Sequence, residues 1–297
     1  MDKINSINNS NNFKNMKIAI VGLGVIGGSY GLGLKKIKCS EVFGVDIDTD
    51  TIKKAKEMGI IKDGATNGKE ILGDIDLIIL AIYPKLVVNF IKDNIDNFKK
   101  NVIITDVTGI KMPIIKDVEI LLKDLGDIDF IFGHPMAGRE KKGIDFASDE
   151  VFKGANYIIT PTARNKLQNI KIIEDLAYSL GFKRVNKISP EFHDEMIGYT
   201  SQLTHALAVA LINSDIEGRD TGKFIGDSFR DLTRIAKINE DLWSELFLEN
   251  KENLLYSIKK FEEELNKIKS SLEKNDDGQL KELFKQSTVG RERLEKN

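Results

Sequence analysis

The three histidines of the chain are the side chains best suited to exchange protons near neutral pH, and they stand at positions 134, 193 and 205. His134 follows a short apolar segment and lies in a loop shaped by Gly133, Pro135 and Gly138. We predict a catalytic role in proton transfer for it. His205 lies on the polar side of a predicted helix, which favours a place in the same site. His193 projects from the other side of that helix and is predicted to be structural.

Arg234 is a second candidate functional side chain, and it stands three residues after Asp231. One interpretation is an ordinary ion pair on a helix surface. The other is a guanidinium group held by Asp231 and directed at a substrate carboxylate. No zinc-type or calcium-loop spacing occurs in the chain, so we expect no metal site.

A glycine-rich turn with the spacing G-x-G-x-x-G lies between an apolar strand pattern, Lys17–Val21, and the start of a helix. Glycines at this spacing allow a tight turn, a close approach of a pyrophosphate to the backbone, and close packing of helix on strand. The N-terminus of the helix then offers unpaired N–H groups to phosphate. The sequence therefore predicts a dinucleotide site at Gly22, Leu23, Gly24, Val25, Ile26 and Gly27.

Asp46 ends the next apolar segment, 19 positions beyond Gly27. An acidic residue at about this distance accepts hydrogen bonds from the adenosine ribose in Rossmann folds, and its charge would repel a 2′-phosphate. We therefore expect NAD in preference to NADP. The alternative is that Asp46 caps the helix beginning near Thr51, although Asp48 or Thr49 could serve as that cap.

Strand and helix patterns alternate through residues 16–187, which predicts a doubly wound, Rossmann-type sheet. Ligands of such sheets bind at the carboxyl ends of the strands. The rule places at one edge of the sheet the glycine turn, Asp46, Tyr83, Thr108 and His134. Tyr83 and Thr108 are accordingly included among the predicted cofactor-binding residues.

The strand patterns end at Ser189 and Pro190, which mark a helix start, so residues 188–297 are predicted to form an all-α domain. The first helix carries a polar stripe expected to line a cleft, formed by Asp194, Gly198, Ser201, Gln202 and His205. An apolar seam then runs from Trp243 to Leu272 along one long predicted helix. Because a small domain leaves such a seam uncovered, we predict a homodimer and a substrate-binding and dimerisation role for this domain.

The composition excludes several classes of protein. The 297 residues are 41% hydrophobic and 30% charged, with a formal net charge of −2, and no basic stripe suggests a nucleic-acid partner. Cys39 is the only cysteine, which fits a reducing cytoplasm. Residues 1–15 read as a disordered tail and not as a signal peptide, and no apolar run is long enough to span a membrane. We expect a soluble cytoplasmic protein.

Five motifs, in order, resemble the prephenate/arogenate dehydrogenase family of tyrosine biosynthesis over residues 16 to about 275. Beside the glycine turn they are DVTGIK at 106–111, GHPMAG at 133–138, SPEFHD at 189–194 and DLTRIA at 231–236. The resemblance implies an NAD-dependent oxidative decarboxylation. In that reaction His134 binds the ring hydroxyl of the substrate and accepts its proton as hydride leaves C4, and loss of CO₂ gives an aromatic product.

The resemblance also implies roles for other side chains. Arg234 matches the arginine that holds a substrate carboxylate in the family. The remaining residues at active-site positions of the family are His205, Gln202, Glu140 and Trp243. Any feedback by tyrosine would act at or near the active site.

The chain departs from the family pattern at two positions. Many members have a serine that helps orient the catalytic histidine where this chain has Gly109. Thr108 is the nearest hydroxyl, and it either joins His134 in the catalytic set or contacts only the cofactor. Gln202 stands where some members have a histidine, so this position carries no proton here.

Three alternatives remain open at this point. The substrate could be arogenate, which has an amino group in place of the keto oxygen of prephenate. A 3-hydroxyacid dehydrogenase shares the domain order but usually relies on a lysine in its helical domain. A non-catalytic NAD-sensing module would need only the glycine turn and Asp46, and would leave His134 and Arg234 unexplained.

Overall fold

One eight-stranded sheet dominates the first part of the described chain. The computed structural model describes residues 13–138 and 141–295. The strands are β1 (Ile18–Val21), β2 (Val42–Val45), β3 (Asp63–Ala65), β4 (Leu77–Leu80), β5 (Ile103–Asp106), β6 (Asp129–Pro135), β7 (Asn156–Thr160) and β8 (Arg184–Lys187). They lie in the order β3-β2-β1-β4-β5-β6-β7-β8, and all are parallel except that β7 and β8 run opposite to the other six. The predicted doubly wound sheet is confirmed.

Helices cover the sheet and form the second part of the chain. Those associated with the sheet are α1 (Val25–Lys36), α2 (Thr49–Glu57), α3 (Pro84–Asn94), α4 (Met112–Leu121) and α5 (Leu167–Ser179). Those that follow it are α6 (Pro190–Ile197), α7 (Leu203–Asn213), α8 (Asp227–Thr233), α9 (Glu240–Glu249), α10 (Lys251–Glu273) and α11 (Asp277–Glu295). A π-helical turn, Gly198–Gln202, joins α6 to α7, and a 3₁₀ turn, Arg234–Ala236, follows α8. The predicted all-α second part is confirmed.

The strands of the sheet centre are buried on both faces, which explains their continuous apolar sequences. In β1, Ile18 and Ile20 pack into one core cluster, whereas Ala19 and Val21 pack into the cluster on the opposite face. Successive side chains of a strand point to opposite faces, so each strand contributes to both clusters. The sheet is therefore held between two packed apolar clusters, one on each face.

Phe13 corrects the prediction of a tail over residues 1–15. Its side chain is only 1% exposed and lies in the core cluster with Ile18, because burying an aromatic ring is strongly favourable. Its carbonyl accepts a hydrogen bond from the Met16 amide at 3.3 Å. Residues 1–12 of the predicted tail lie outside the described residues.

Two helices, α9 and α10, replace the single long helix predicted from Glu240. The break falls at Asn250, which is buried and whose side-chain amide donates to the Asp194 carbonyl at 2.9 Å and to Gln202 Oε1 at 2.8 Å. A buried amide needs such partners, so the helix turns where it meets them. Among the helices of residues 13–138 and 141–295, none is long and apolar enough to cross a membrane.

Candidate active site

The glycine turn has the geometry that its sequence predicts. Gly22 adopts a φ of +86°, a conformation that favours glycine, and its amide donates to the Val45 carbonyl at 2.8 Å. A methyl group built on Gly27 would lie 1.8 Å from the Gly22 carbonyl oxygen, so α1 packs directly on the turn. A methyl group built on Gly24 would meet no heavy atom within 4 Å. The turn is thus closely packed at Gly22 and Gly27 and open at Gly24.

The open side of this turn coincides with the N-terminus of α1. The N-cap residue, Gly24, makes no side-chain hydrogen bond to the helix. The first amides of a helix have no partners within the helix and attract anionic groups such as phosphates. An anionic group above Gly24 would fit the space that the missing Cβ leaves.

Asp46 lies beside the turn at the end of β2, partly buried. Its carboxylate accepts hydrogen bonds from the Leu23 amide at 2.7 Å and from the Asp48 amide at 3.0 Å. Asp48 is the residue that caps α2, because its side chain accepts from the Asp50 amide at 3.0 Å. The competing capping role therefore belongs to Asp48, and Asp46 stays the candidate for the ribose.

A buried ion pair lies behind the neighbouring strand ends. Lys111 is 0% exposed, and its Nζ lies 2.5 Å from Asp106 Oδ2 and 2.5 Å from the Gly133 carbonyl oxygen. Burial lowers the pKa of Lys111, and the Asp106 carboxylate opposes that shift. Asp106 Oδ1 also accepts from the Gly133 amide at 3.1 Å. The pair ties β5 to β6 just before His134, a role that was not predicted from the DVTGIK motif in which both residues lie.

The hydroxyl of Thr108 belongs to this buried cluster. It contacts Asp106 Oδ2 and lies 3.0 Å from both the Ile110 carbonyl oxygen and Lys111 Nζ. Thr108 is 4% exposed. Its hydroxyl is directed at the ion pair of Lys111 and Asp106. The catalytic and cofactor-binding roles predicted for Thr108 stay predictions.

His134 lies in β6, opposite Ile158 of the antiparallel strand β7, with its ring partly exposed. Its Nδ1 lies 2.9 Å from Nε2 of His193, whose own Nδ1 lies 2.7 Å from Asp194 Oδ1. The same carboxylate accepts hydrogen bonds from the Lys111 amide at 2.9 Å and the Met112 amide at 2.8 Å, at the N-terminus of α4. His193 therefore contacts the candidate catalytic residue, and the structural role predicted for it stays a prediction.

The contact between His193 and His134 follows from the direction in which α6 packs. Helical periodicity separates the faces of α6, but both His193 and Asp194 are buried because α6 lies against the strand end of β6 and the start of α4. In the sequence, the SPEFHD motif at 189–194 was the feature that could have indicated a place for His193 near His134. Burial is the first cause that lowers the pKa of His134 well below its ordinary value, followed by the charges of His193 and Lys111. Burial also lowers the pKa of His193, against the opposing effect of Asp194.

Gly109, which replaces the serine of many family members, lies beside the ring of His134. A Cβ built on Gly109 would lie 3.9 Å from His134 Nε2 and 3.4 Å from Leu246 of α9. The glycine therefore leaves space beside Nε2, on the side of the ring away from His193.

The helical part supplies two aromatic rings near this edge. His205 Nδ1 lies 2.9 Å from the Ser201 carbonyl oxygen, and its ring stacks on Trp243 with centroids 3.7 Å apart. Trp243 packs against the same core cluster as Leu246. The structure thus brings His205 and Trp243 together, on α7 and α9.

Gln202 is buried between α7, α9 and α10. It is 1% exposed, its Nε2 donates to the Leu246 carbonyl at 2.8 Å, and its Oε1 accepts from Asn250. Gly198 of the same stripe faces Asn253 of α10. The polar stripe predicted to line a cleft is therefore largely a buried seam between helices, and the substrate contact predicted for Gln202 stays a prediction.

Two hydrogen bonds join α9 and its N-cap residue to the segment that leads from β4 into α3. Asn239 donates to the Tyr83 hydroxyl at 3.1 Å, and Glu245 accepts from the Lys85 amide at 2.6 Å. Tyr83 is partly buried beside this junction. The helical part is thereby docked over the carboxyl edge of the sheet.

Arg234 lies in the 3₁₀ turn after α8, and this turn packs against α7, which carries His205. Its side chain is exposed. Glu140, the remaining predicted site residue, lies outside the described residues.

Comparisons with known proteins agree with this arrangement. Residues 31–186 match the family model described as prephenate dehydrogenase, nucleotide-binding domain, and residues 189–286 match prephenate dehydrogenase, dimerization domain. A prephenate dehydrogenase of Bacillus subtilis is 28% identical over 274 residues, which cover 90% of this chain and 73% of the relative.

Two solved structures extend the likeness to three dimensions. A prephenate dehydrogenase of Aquifex aeolicus, in complex with hydroxyphenyl propionate and NAD+, is 31% identical with a TM-score of 0.85, over 94% of this chain and 98% of that one. An arogenate dehydrogenase of Synechocystis is 26% identical with a TM-score of 0.79, over 94% of this chain and 100% of that one. The chain belongs to the prephenate dehydrogenase family.

Proposed function

We propose that the chain catalyses the NAD-dependent oxidative decarboxylation of prephenate to 4-hydroxyphenylpyruvate. The observation that carries the proposal is the setting of His134. Its Nδ1 lies 2.9 Å from His193 Nε2, and its Nε2 faces the space beside Gly109, at the sheet edge over which the helical part is docked. A base in that position has access to a substrate bound next to the cofactor.

The residues present fit a bound NAD. The open space above Gly24 and the uncapped N-terminus of α1 would receive the pyrophosphate, and Asp46 would accept hydrogen bonds from the ribose. Tyr83 would lie along the same edge. When bound, the nicotinamide supplies the acceptor for a hydride leaving the substrate ring.

His134 would accept the proton of the ring hydroxyl through Nε2 as hydride leaves C4. The bond between the ring and its carboxylate then breaks, CO₂ leaves, and the electron pair of that bond completes the aromatic ring. His134 returns its proton to the phenolate oxygen of the product. A base kept neutral by burial is suited to this step, because its lone pair is available at neutral pH.

The substrate would be held by side chains of the helical part. Arg234 is the candidate for a carboxylate, since a guanidinium group can form two parallel hydrogen bonds to it. His205 and Trp243 would form a wall against the ring. Gln202 would support that wall from behind, and Glu140 stays a prediction from the sequence.

We further propose that the enzyme is a homodimer formed through its C-terminal helices. Leu265, Ile268 and Leu272 of α10 are 51%, 37% and 61% exposed. These residues lie at helical spacing on the seam identified in the sequence, and a second copy would bury them. The match of this part of the chain to a dimerization domain supports the proposal.

Formation of NADH tests the proposed reaction. The purified chain should reduce NAD in the presence of prephenate, with release of CO₂ and 4-hydroxyphenylpyruvate. Arogenate is the second candidate substrate because an arogenate dehydrogenase shares the fold over nearly the whole chain. Parallel assays with each substrate, each with NAD and NADP, separate these possibilities. Absence of turnover with either substrate, despite NAD binding, would favour the non-catalytic sensor.

A further inference from the structure

The three side chains Asp194, His193 and His134 form a continuous hydrogen-bonded chain, and two of them received no role in the proposed reaction. His193 Nε2 lies 2.9 Å from His134 Nδ1, and His193 Nδ1 lies 2.7 Å from Asp194 Oδ1. Both His193 and Asp194 are buried, at 0% and 2% exposed. His193 and Asp194 are therefore shielded from bulk water, and the hydrogen bonds lead from the helical part to His134 at the edge of the sheet.

The direction of each hydrogen bond follows from what Asp194 accepts. Its two oxygens receive the amide protons of Lys111 and Met112 at the N-terminus of α4, where the helix dipole favours an anion. An ionised carboxylate only accepts hydrogen bonds. The proton in the third hydrogen bond of Asp194, which it shares with His193, must therefore lie on His193 Nδ1. Because the pKa of His193 is lowered, its ring is neutral and its Nε2 carries only a lone pair.

His134 must then donate through Nδ1. A neutral imidazole has one protonated and one bare nitrogen, so its Nε2 carries the lone pair and faces the space beside Gly109. We propose that His193 and Asp194 are positioning residues that hold His134 in the Nδ1–H tautomer and thereby make Nε2 the base. This inference rests on the proposed function, since it assigns the origin of that base.

The surroundings of His134 keep its Nε2 unprotonated before the reaction. Burial lowers the pKa of His134 well below its ordinary value, and the charge of the buried Lys111 adds to this shift. In the reaction Nε2 takes up the proton of the substrate hydroxyl. The resulting imidazolium keeps its Nδ1–H hydrogen bond to His193, which is itself polarised by Asp194.

Nitrogen-15 NMR of the imidazole rings tests the assignment directly. The chain has only three histidines, so uniform ring labelling yields three spin systems that single variants can assign. Without substrate near pH 8, long-range proton–nitrogen correlations should show His134 and His193 as Nδ1–H tautomers. An Nε2–H tautomer at His134 would overturn the proposal, and the tautomer itself is read in the wild-type protein.

Two variants of His193 test the consequence for catalysis. His193→Leu removes the acceptor for His134 Nδ1–H, so kcat should fall by about 10²- to 10⁴-fold, the contribution of a positioned base, while KM stays within about threefold. His193→Gln places an amide oxygen near the former Nε2 and should restore kcat to within about tenfold of the wild type. Asn253→Ala is the matched control, because it removes a polar side chain of α10 that contacts Asn250 but not His193.

The outcomes separate this inference from the proposed function. Unchanged kcat in folded His193→Leu would overturn the positioning role while leaving the proposed reaction intact. An Nδ1–H tautomer at His134 in a protein that turns over neither prephenate nor arogenate would support the tautomer assignment and overturn the proposed reaction. Equal losses in His193→Leu and His193→Gln would also contradict the role, since only the latter retains an acceptor.

Discussion

Two glycines of the same turn should respond in opposite ways to a single added methyl group. In Gly27→Ala the new Cβ would lie 1.8 Å from the Gly22 carbonyl oxygen, so either the turn or α1 must move. In Gly24→Ala the new Cβ would meet no protein atom within 4 Å, and the φ of −69° at this residue suits alanine. The first substitution damages the fold, whereas the second occupies only the space proposed for the pyrophosphate.

The magnitudes follow from these contacts. Overpacking against backbone costs about 3 kcal/mol, which should lower the Tm of Gly27→Ala by roughly 6–12 °C. Gly24→Ala should keep its Tm within about 2 °C, because its folded state is unstrained. Loss of a hydrogen bond to a charged phosphate costs about 1.5–3 kcal/mol, so its Kd for NAD should rise by about 10- to 150-fold.

Thermal unfolding without cofactor and calorimetric titration with NAD measure the two effects separately. The wild type and both variants are compared under the same ionic conditions, since phosphate binding depends on salt. Wild-type affinity for NAD in Gly24→Ala would refute the placement of the pyrophosphate over this residue. An unchanged Tm in Gly27→Ala would refute the close packing of α1 on the turn.

Three further predictions concern the chemistry. His134→Asn should lower kcat by at least about 100-fold while NAD still binds, as single-turnover and titration measurements would show. Arg234→Ala should raise the KM for prephenate by about 10- to 100-fold with little change in kcat, because a charged hydrogen bond to the substrate is lost. The free energy of unfolding should fall as the pH drops below about 6.5, because the pKa values of His134 and His193 are lowered on folding and the unfolded chain then binds more protons.

Each of these predictions has its own control. Loss of NAD binding in His134→Asn would indicate a damaged cofactor site, and retained turnover would remove the residue from the mechanism. An unchanged KM in Arg234→Ala would contradict its role in carboxylate binding. For the pH dependence, His134→Asn lacks one of the two titrating rings, so its stability should fall less steeply between pH 7 and pH 5 in chemical denaturation. An equally steep fall would assign the effect to other groups.

Local patterns in the sequence were sufficient for the fold and for the geometry of the glycine turn. The apolar runs of β1 and β4 indicate strands buried on both faces, and Ser189 with Pro190 marks the start of α6 as the structure has it. The short strand β3 was missed, because Asp63–Ala65 has too few apolar residues to stand out. Such signals work because they depend on neighbours within a few positions along the chain.

The sequence by itself determined the glycine turn, the order of strands and helices, and the candidacy of His134, since each depends on residue type and short spacing. Only the tertiary structure decided what surrounds His134. His193 is 59 positions away and reaches it through the packing of α6 on the sheet edge, and Gln202 is buried through its contact with Leu246 of α9. Periodicity shows which residues share a helix face, but the element that this face meets depends on how the whole chain packs. The tautomer of the proposed base is therefore a property of the assembled fold.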